Sequence, residues 1–177
     1  MAKKALLIID MQQGDFPPNK ARYRADEVVE IINHLSAQVR ADGLVVFIQH
    51  DGSREGAFVP GTADWELLTQ LNRTDADLVV SKTANNAFYQ SELHEVLQMH
   101  AVNELLITGS ATDFCVDATI QGALALDYEV TVVADGHATG LHRPTIDAQE
   151  IIDHYNWKWA EFTPTQGKIL VKTHTEL

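Results

Sequence analysis

The sequence predicts an α/β fold, a doubly wound, mostly parallel sheet of six strands with helices on both faces. Apolar runs of strand length alternate with segments of helical period along the chain. The strong runs are continuous rather than alternating, the pattern of strands buried on both faces. The links between most elements are short, as in strand–helix–strand units that build parallel sheets.

In chain order, ALLII at 5–9 is the first strand and ends at Asp10. Asp26 to Arg40 is helical, with Val28, Ile31, Ile32 and Leu35 on one face and Gly43 as a stop. LVVFI at 44–48 is the second strand and runs into Gln49, His50 and Asp51. Gly52 to Asp64 is the longest irregular stretch, a length that points to a functional loop rather than a simple turn. LVV at 78–80 is the third strand, ending at Ser81 and Lys82, and Ser91 to Met99 is the next helix. LLIT at 105–108 ends at Gly109 and leads into a helix from Thr112 to Leu126. VTVVA at 130–134 ends at Asp135, Ile146 to Phe162 is helical, and the shorter run ILV at 169–171 is the sixth strand.

The 177 residues are 45% hydrophobic and 21% charged, which suits one globular domain spanning 1–177. Thirteen basic against 25 acidic residues leave a net charge of −12. Such a chain repels phosphate backbones and anionic membrane surfaces, so neither nucleic acid nor a membrane is an expected partner. No apolar run approaches the ~20 residues that span a bilayer. Ala5 to Ile9 is too short for a signal-peptide core, so a cytoplasmic location is expected. The single cysteine, Cys115, rules out an intrachain disulfide and a thiolate metal cluster.

Ligands of open parallel sheets bind beyond the carboxyl ends of the strands. Asp10, His50, Asp51, Lys82, the Gly109–Cys115 turn and Asp135 all fall there. Cys115 would sit near a helix N-terminus capped by Thr112, where the helix dipole favours a thiolate, and Lys82 would lower the thiol pKa further. Asp10 could take the thiol proton and return it to a leaving group. Backbone amides of 109–112 could serve a developing oxyanion. The residues alone leave two readings of Cys115, a nucleophile or a core residue beside Val116, Ile120 and Leu124. Asp135 is read as a loop anchor.

Three blocks carry a family resemblance: LLIIDMQQGDF (6–16), SKTANNAFYQSEL (81–93) and GSATDFCVDATIQGALALDYEVTVVAD (109–135). With them the chain resembles the isochorismatase-like cysteine hydrolases, over roughly Ala5 to Asp135. The resemblance implies a Rossmann-like three-layer fold and a catalytic triad of Asp10, Lys82 and Cys115. It implies an oxyanion hole from the Ala111 and Cys115 amides, and a cis peptide between Ser110 and Ala111. It further implies a homo-oligomer, dimer or tetramer, with no metal and no cofactor. Phe16 and Phe88 match family positions around the substrate, while Trp65, from its loop, and His50 are further candidate contacts.

The expected function is a cysteine-dependent hydrolase cleaving an amide, carbamoyl or lactam C–N bond of a small molecule through a thioester. Two alternatives stand beside it. One is a nicotinamidase- or pyrazinamidase-like amidase, against which Gln49-His50-Asp51 lacks the aspartate-x-histidine order of that metal site. The other is a catalytically silent, small-ligand-binding member of the fold. No G-x-G-x-x-G follows a strand, so dinucleotide binding is rejected. Trp157 and Trp159 are read as core or interface, and His94 and His100 as helix surface.

Overall fold

The computed structural model describes residues 3–16, 22–141, 143–164 and 166–177. Among them, six strands form one sheet: β1 (Lys3–Ile9), β2 (Leu44–His50), β3 (Leu78–Lys82), β4 (Val102–Ser110), β5 (Glu129–Ala138) and β6 (Ile169–Lys172). Their order is β3-β2-β1-β4-β5-β6, and every neighbouring pair is parallel. The sheet is thus wholly parallel where the sequence predicted mostly parallel.

Helices α1 (Ala25–Val39), α2 (Leu93–Met99), α3 (Asp117–Ala125) and α4 (Ala148–Ala160) cover it. On one face, Val28, Ile32 and Leu35 of α1 pack on Leu6, Ile8, Val45 and Phe47. On the other, α2, α3 and Trp159 of α4 pack on Leu7, Ile9, Ile48 and Ile107. Successive residues of β1 from Ala5 to Ile9 therefore enter two different cores, and all five are fully buried, which is why this apolar run shows no alternation. Burying each such side chain stabilises the fold by about 1.5–3 kcal/mol. Trp159 is a core residue and Trp157 is exposed. Asp117 accepts hydrogen bonds from Trp159 Nε1 at 2.8 Å and Lys158 Nζ at 2.9 Å, docking α4 on α3. Asp135 anchors the C-terminal turn by accepting from the His174 amide at 2.9 Å and pairing with its ring at 2.7 Å. His94, expected on the surface, is tied to the Tyr128 hydroxyl at 3.0 Å. No helix among the described residues is long and apolar enough to cross a membrane.

The chain builds leftward from β1 to β3 and rightward from β4 to β6, so the winding reverses between β1 and β4. That reversal opens a crevice at the carboxyl edge of the sheet. Gly109 closes the base of it. Its φ is +118°, and a Cβ there would stand 2.2 Å from the Ile9 carbonyl oxygen and 2.5 Å from the Ile9 nitrogen. Only glycine lets the ends of β4 and β1 approach so closely. Further along, β5 bulges: Ile107 pairs with Val132, but Gly109 pairs with His137. The bulge makes β5 longer than predicted and carries His137 toward the crevice.

Gly109→Ala is therefore expected to lower unfolding stability by ~3 kcal/mol or more, or to prevent folding. A urea midpoint equal to wild type would contradict this packing.

Candidate active site

β1 ends at Asp10, whose backbone is left-handed (φ 49°) and whose amide donates to the Ile48 carbonyl at 3.0 Å. Two residues on, the fully buried Gln12 ties the strand ends together. Its Nε2 donates to the carbonyls of His50 (3.1 Å) and Trp65 (2.9 Å), and its Oε1 accepts from the His50 amide (2.8 Å). Lys82 closes β3 and is only 1% exposed. Its ammonium donates to Asp10 Oδ2 at 2.7 Å, Cys115 Sγ at 3.4 Å and His50 Nδ1 at 3.4 Å. Three donors thus meet three acceptors. Asp10 Oδ1, in contrast, is buried with no hydrogen-bond partner. The structure brings Asp10, Lys82, Cys115 and His50 together.

The helix predicted from Thr112 to Leu126 is broken. Residues Thr112–Val116 form a single π-helical turn, and α3 begins at Asp117. Such turns recur at functional sites. The amides of Phe114 and Val116 both donate to the Ala111 carbonyl, at 3.0 and 3.1 Å, and the Ser110–Ala111 peptide is cis. Thr112 is not the predicted cap. Its hydroxyl instead meets His137 Nδ1 at 2.9 Å. His137 Nε2 in turn meets Asn156 Oδ1 at 3.1 Å, and Asn156 Nδ2 donates to the Ala134 carbonyl at 2.9 Å. Because that carbonyl only accepts, it orients the Asn156 amide. The remaining roles follow: His137 Nε2–H donates and Nδ1 accepts from Thr112. Burial pushes His137 from its ordinary 6.5 down to about 4, against the Asn156 hydrogen bond and the Asp135 charge.

The thiol differs from the sequence expectation. Burial and the negative charge of Asp10 push Cys115 above the usual thiol range, and the opposing pull of Lys82 is the weaker effect. The sulfur is thus a neutral thiol, with Asn85 Oδ1 at 3.6 Å as its acceptor. Burial also works against the Lys82 ammonium, but Asp10 and Cys115 outweigh it and hold its pKa above the ordinary lysine value.

Asp10, His50, Ala111 and Cys115 line a cavity of about 250 Å³, together with Phe58, Asn85, Phe114 and two arginines. Arg22 pairs with Asp15 at 2.5 Å. Arg143 pairs with Asp113 at 2.9 Å and lies 4.9 Å over the Phe114 ring. Of the four predicted substrate contacts, only His50 is on this wall. Phe16 packs on the α1 core with Arg22 over its ring, and Phe88 stacks on Tyr128 at 5.6 Å. Trp65 lines a separate cavity with Leu68, Leu71 and Val79. The aromatic walls are instead Phe58, from the irregular loop, and Phe114, beside the cysteine. Asn85 sits inside the 81–93 block three residues after Lys82 and was open to notice there. Arg22 and Arg143 lie away from every strand end and carry no spacing signal. Among the described residues, no group of three or more His, Cys, Asp or Glu side chains is placed to hold a metal ion.

The buried His137 links stability to pH. Its folded pKa lies below its unfolded value, so its contribution is complete above about pH 6.5 and is lost as pH falls toward 4. At ~1.4 kcal/mol per pH unit, roughly 3 kcal/mol should disappear across that window. Urea unfolding at pH 7 and pH 4.5, in wild type and His137→Phe, checks this: the variant should lose much less stability on acidification.

Comparison with known proteins identifies the family. Residues 4–149 match the model of the isochorismatase domain. A streptothricin hydrolase of Streptomyces noursei is 34% identical over 77% of this chain, which spans only 54% of that relative's length. A protein of Arabidopsis thaliana named a probable inactive nicotinamidase is 34% identical over 86% of this chain and 88% of its own. A crystal structure of an isochorismatase family protein superposes with a TM-score of 0.87 at 31% identity, over 96% of this chain and 98% of the other. The chain belongs to the isochorismatase family of hydrolases.

Proposed function

We propose that this protein is a cysteine-dependent hydrolase that cleaves the C–N bond of a small amide, carbamoyl compound or lactam. One observation carries the reading. A single buried ammonium binds both the Asp10 carboxylate and the Cys115 sulfur, while the second Asp10 oxygen is buried without a partner. A carboxylate oxygen so placed is a proton acceptor awaiting a donor. The streptothricin hydrolase among the relatives supports a hydrolase acting on a small molecule. The cavity of about 250 Å³ suits a small substrate or one end of a larger one.

The steps follow from these groups. The Cys115 S–H turns from Asn85 toward Asp10 as the sulfur attacks the substrate carbonyl carbon. The proton passes to Asp10, and the carbonyl π-electrons move to oxygen. The amides of Ala111 and Cys115, two residues that line the cavity, stabilise that oxyanion. Collapse of the tetrahedral adduct breaks the C–N bond, and Asp10 returns the proton to the leaving nitrogen. Water, deprotonated by Asp10, then hydrolyses the thioester and restores the thiol. Lys82 stays protonated throughout and keeps Asp10 and the sulfur in register. His50 accepts from Lys82 and faces the cavity, where its ring orients the substrate.

Two measurements test the reading. Against a panel of small amides and carbamoyl compounds, Cys115→Ala should lose ammonia release by at least ~10³-fold while remaining folded. Retained turnover would exclude the nucleophile. Iodoacetamide alkylation of the single cysteine, followed against pH, needs no substrate. The wild-type midpoint should lie above the ordinary ~8.5. Asp10→Asn should lower it by removing a negative charge, and Lys82→Ala should raise it by removing a positive one. A thiol that reacts only on unfolding would make this a catalytically silent member of the fold.

A further inference from the structure

The turn that presents Cys115 begins at Thr112, and the only side-chain hydrogen bond that Thr112 makes among the described residues is to His137. We infer that His137 is a positioning residue of the site, holding through Thr112 the turn that carries Cys115 and the Ala111 and Cys115 amides. The inference rests on Cys115 being the nucleophile.

Three features support it. First, His137 is 2% exposed and both ring nitrogens are engaged, so its ring cannot rotate without breaking two hydrogen bonds, one buried and one partly buried. Trp159, itself fully buried, packs edge-on to the ring at 5.2 Å. Second, the anchor lies outside the site. Asn156 belongs to α4, its orientation is set by the Ala134 carbonyl of β5, and α4 is pinned to α3 through Asp117. Groups of β5 and α4 that do not line the cavity thus converge on one hydroxyl. Third, the β5 bulge is what delivers His137 to Gly109, its pairing partner, immediately before the Ser110–Ala111 bond. A regular β5 would put a different side chain there. Thr139 and Arg143 hold the same turn at its next residue, donating to Asp113 at 2.6 and 2.9 Å. The turn is therefore clamped at Thr112 and Asp113, and Cys115 follows within it.

The test is a set of variants away from the reacting atoms. Thr112→Val exchanges one hydroxyl for a methyl and should lower kcat by about ten- to a hundredfold with KM changed little, because the network meets no substrate. Thr112→Ser keeps the hydroxyl and should recover most of the loss. His137→Phe should lower kcat similarly, and the double variant Thr112→Val/His137→Phe should be no slower than either single one, since both break one linkage. Should His137→Phe not fold, Thr112→Val against Thr112→Ser carries the test alone. A substrate-free readout runs beside it. The alkylation midpoint of Cys115 should fall toward the ordinary ~8.5 in Thr112→Val, as the loosened turn lets water reach the sulfur, and return in Thr112→Ser. Folded Thr112→Val with wild-type kcat and wild-type alkylation profile overturns the inference, as do multiplicative effects in the double variant. Turnover retained in Cys115→Ala would instead remove the nucleophile assignment, and the alkylation profiles would still report on the position of the sulfur.

Discussion

The Lys82 ammonium is the constraint on which the site depends. Burying an unpaired ammonium costs several kcal/mol, so it persists inside a protein only with its hydrogens matched. Here the three acceptors come from three different places: Asp10 after β1, His50 at the end of β2 and Cys115 in the turn after β4. No local segment can supply them. Only a sheet in which parallel strands deliver their carboxyl ends to one edge brings them within reach of β3. The charge therefore favours the strand order as much as the strand order creates the site.

The supporting polar contacts serve that convergence. Gln12 bonds the end of β1 to His50 and to the loop that follows β2, which fixes the His50 backbone beside Lys82. Gly109 brings β4 against β1 at the point where the winding reverses, and Asp10 and the cysteine turn line one cavity. On the far side, the β5 bulge, His137 and Asn156 join that turn to α4. The hydrogen bonds of Gln12 and His137 are matched in buried or partly buried surroundings, where an unmatched partner would cost about 1–3 kcal/mol. Matched networks of this kind fix one geometry rather than adding much net stability.

How much of this could be read in advance follows from its physics. Doubly buried strands declare themselves as continuous apolar runs, so all six strands were legible, and with them the polar residues at their ends: Asp10, His50 and Lys82. The short sixth run, ILV, was the weakest and still paired. What failed to show depended on geometry between elements. The bulge that carries His137 has no local pattern, and the π-helical turn reads as ordinary helix because its composition fits both. Phe16, Trp65 and Phe88 lie near the right motifs, but their rings face cores or a second cavity, since one rotation about a strand end exchanges site for core. The thiol pKa could not be read from spacing. A helix terminus and a nearby lysine predict a thiolate, whereas the depth of burial and the Asp10 charge decide against it.

That neutral thiol follows from burial together with charge count. The resting site buries one cation, Lys82, and one anion, Asp10, and a thiolate would add a second anion against the same cation. Losing the proton to solvent therefore opposes the electrostatics of the site. Moving it to Asp10 does not, because a thiolate with a neutral carboxyl carries the same total charge as a thiol with a carboxylate, and one ammonium serves either arrangement. On the proposed mechanism, the site forms its nucleophile only by keeping the proton. The retained proton is the one the leaving nitrogen requires, so the burial that depresses the free reactivity of Cys115 also couples its activation to cleavage of the C–N bond.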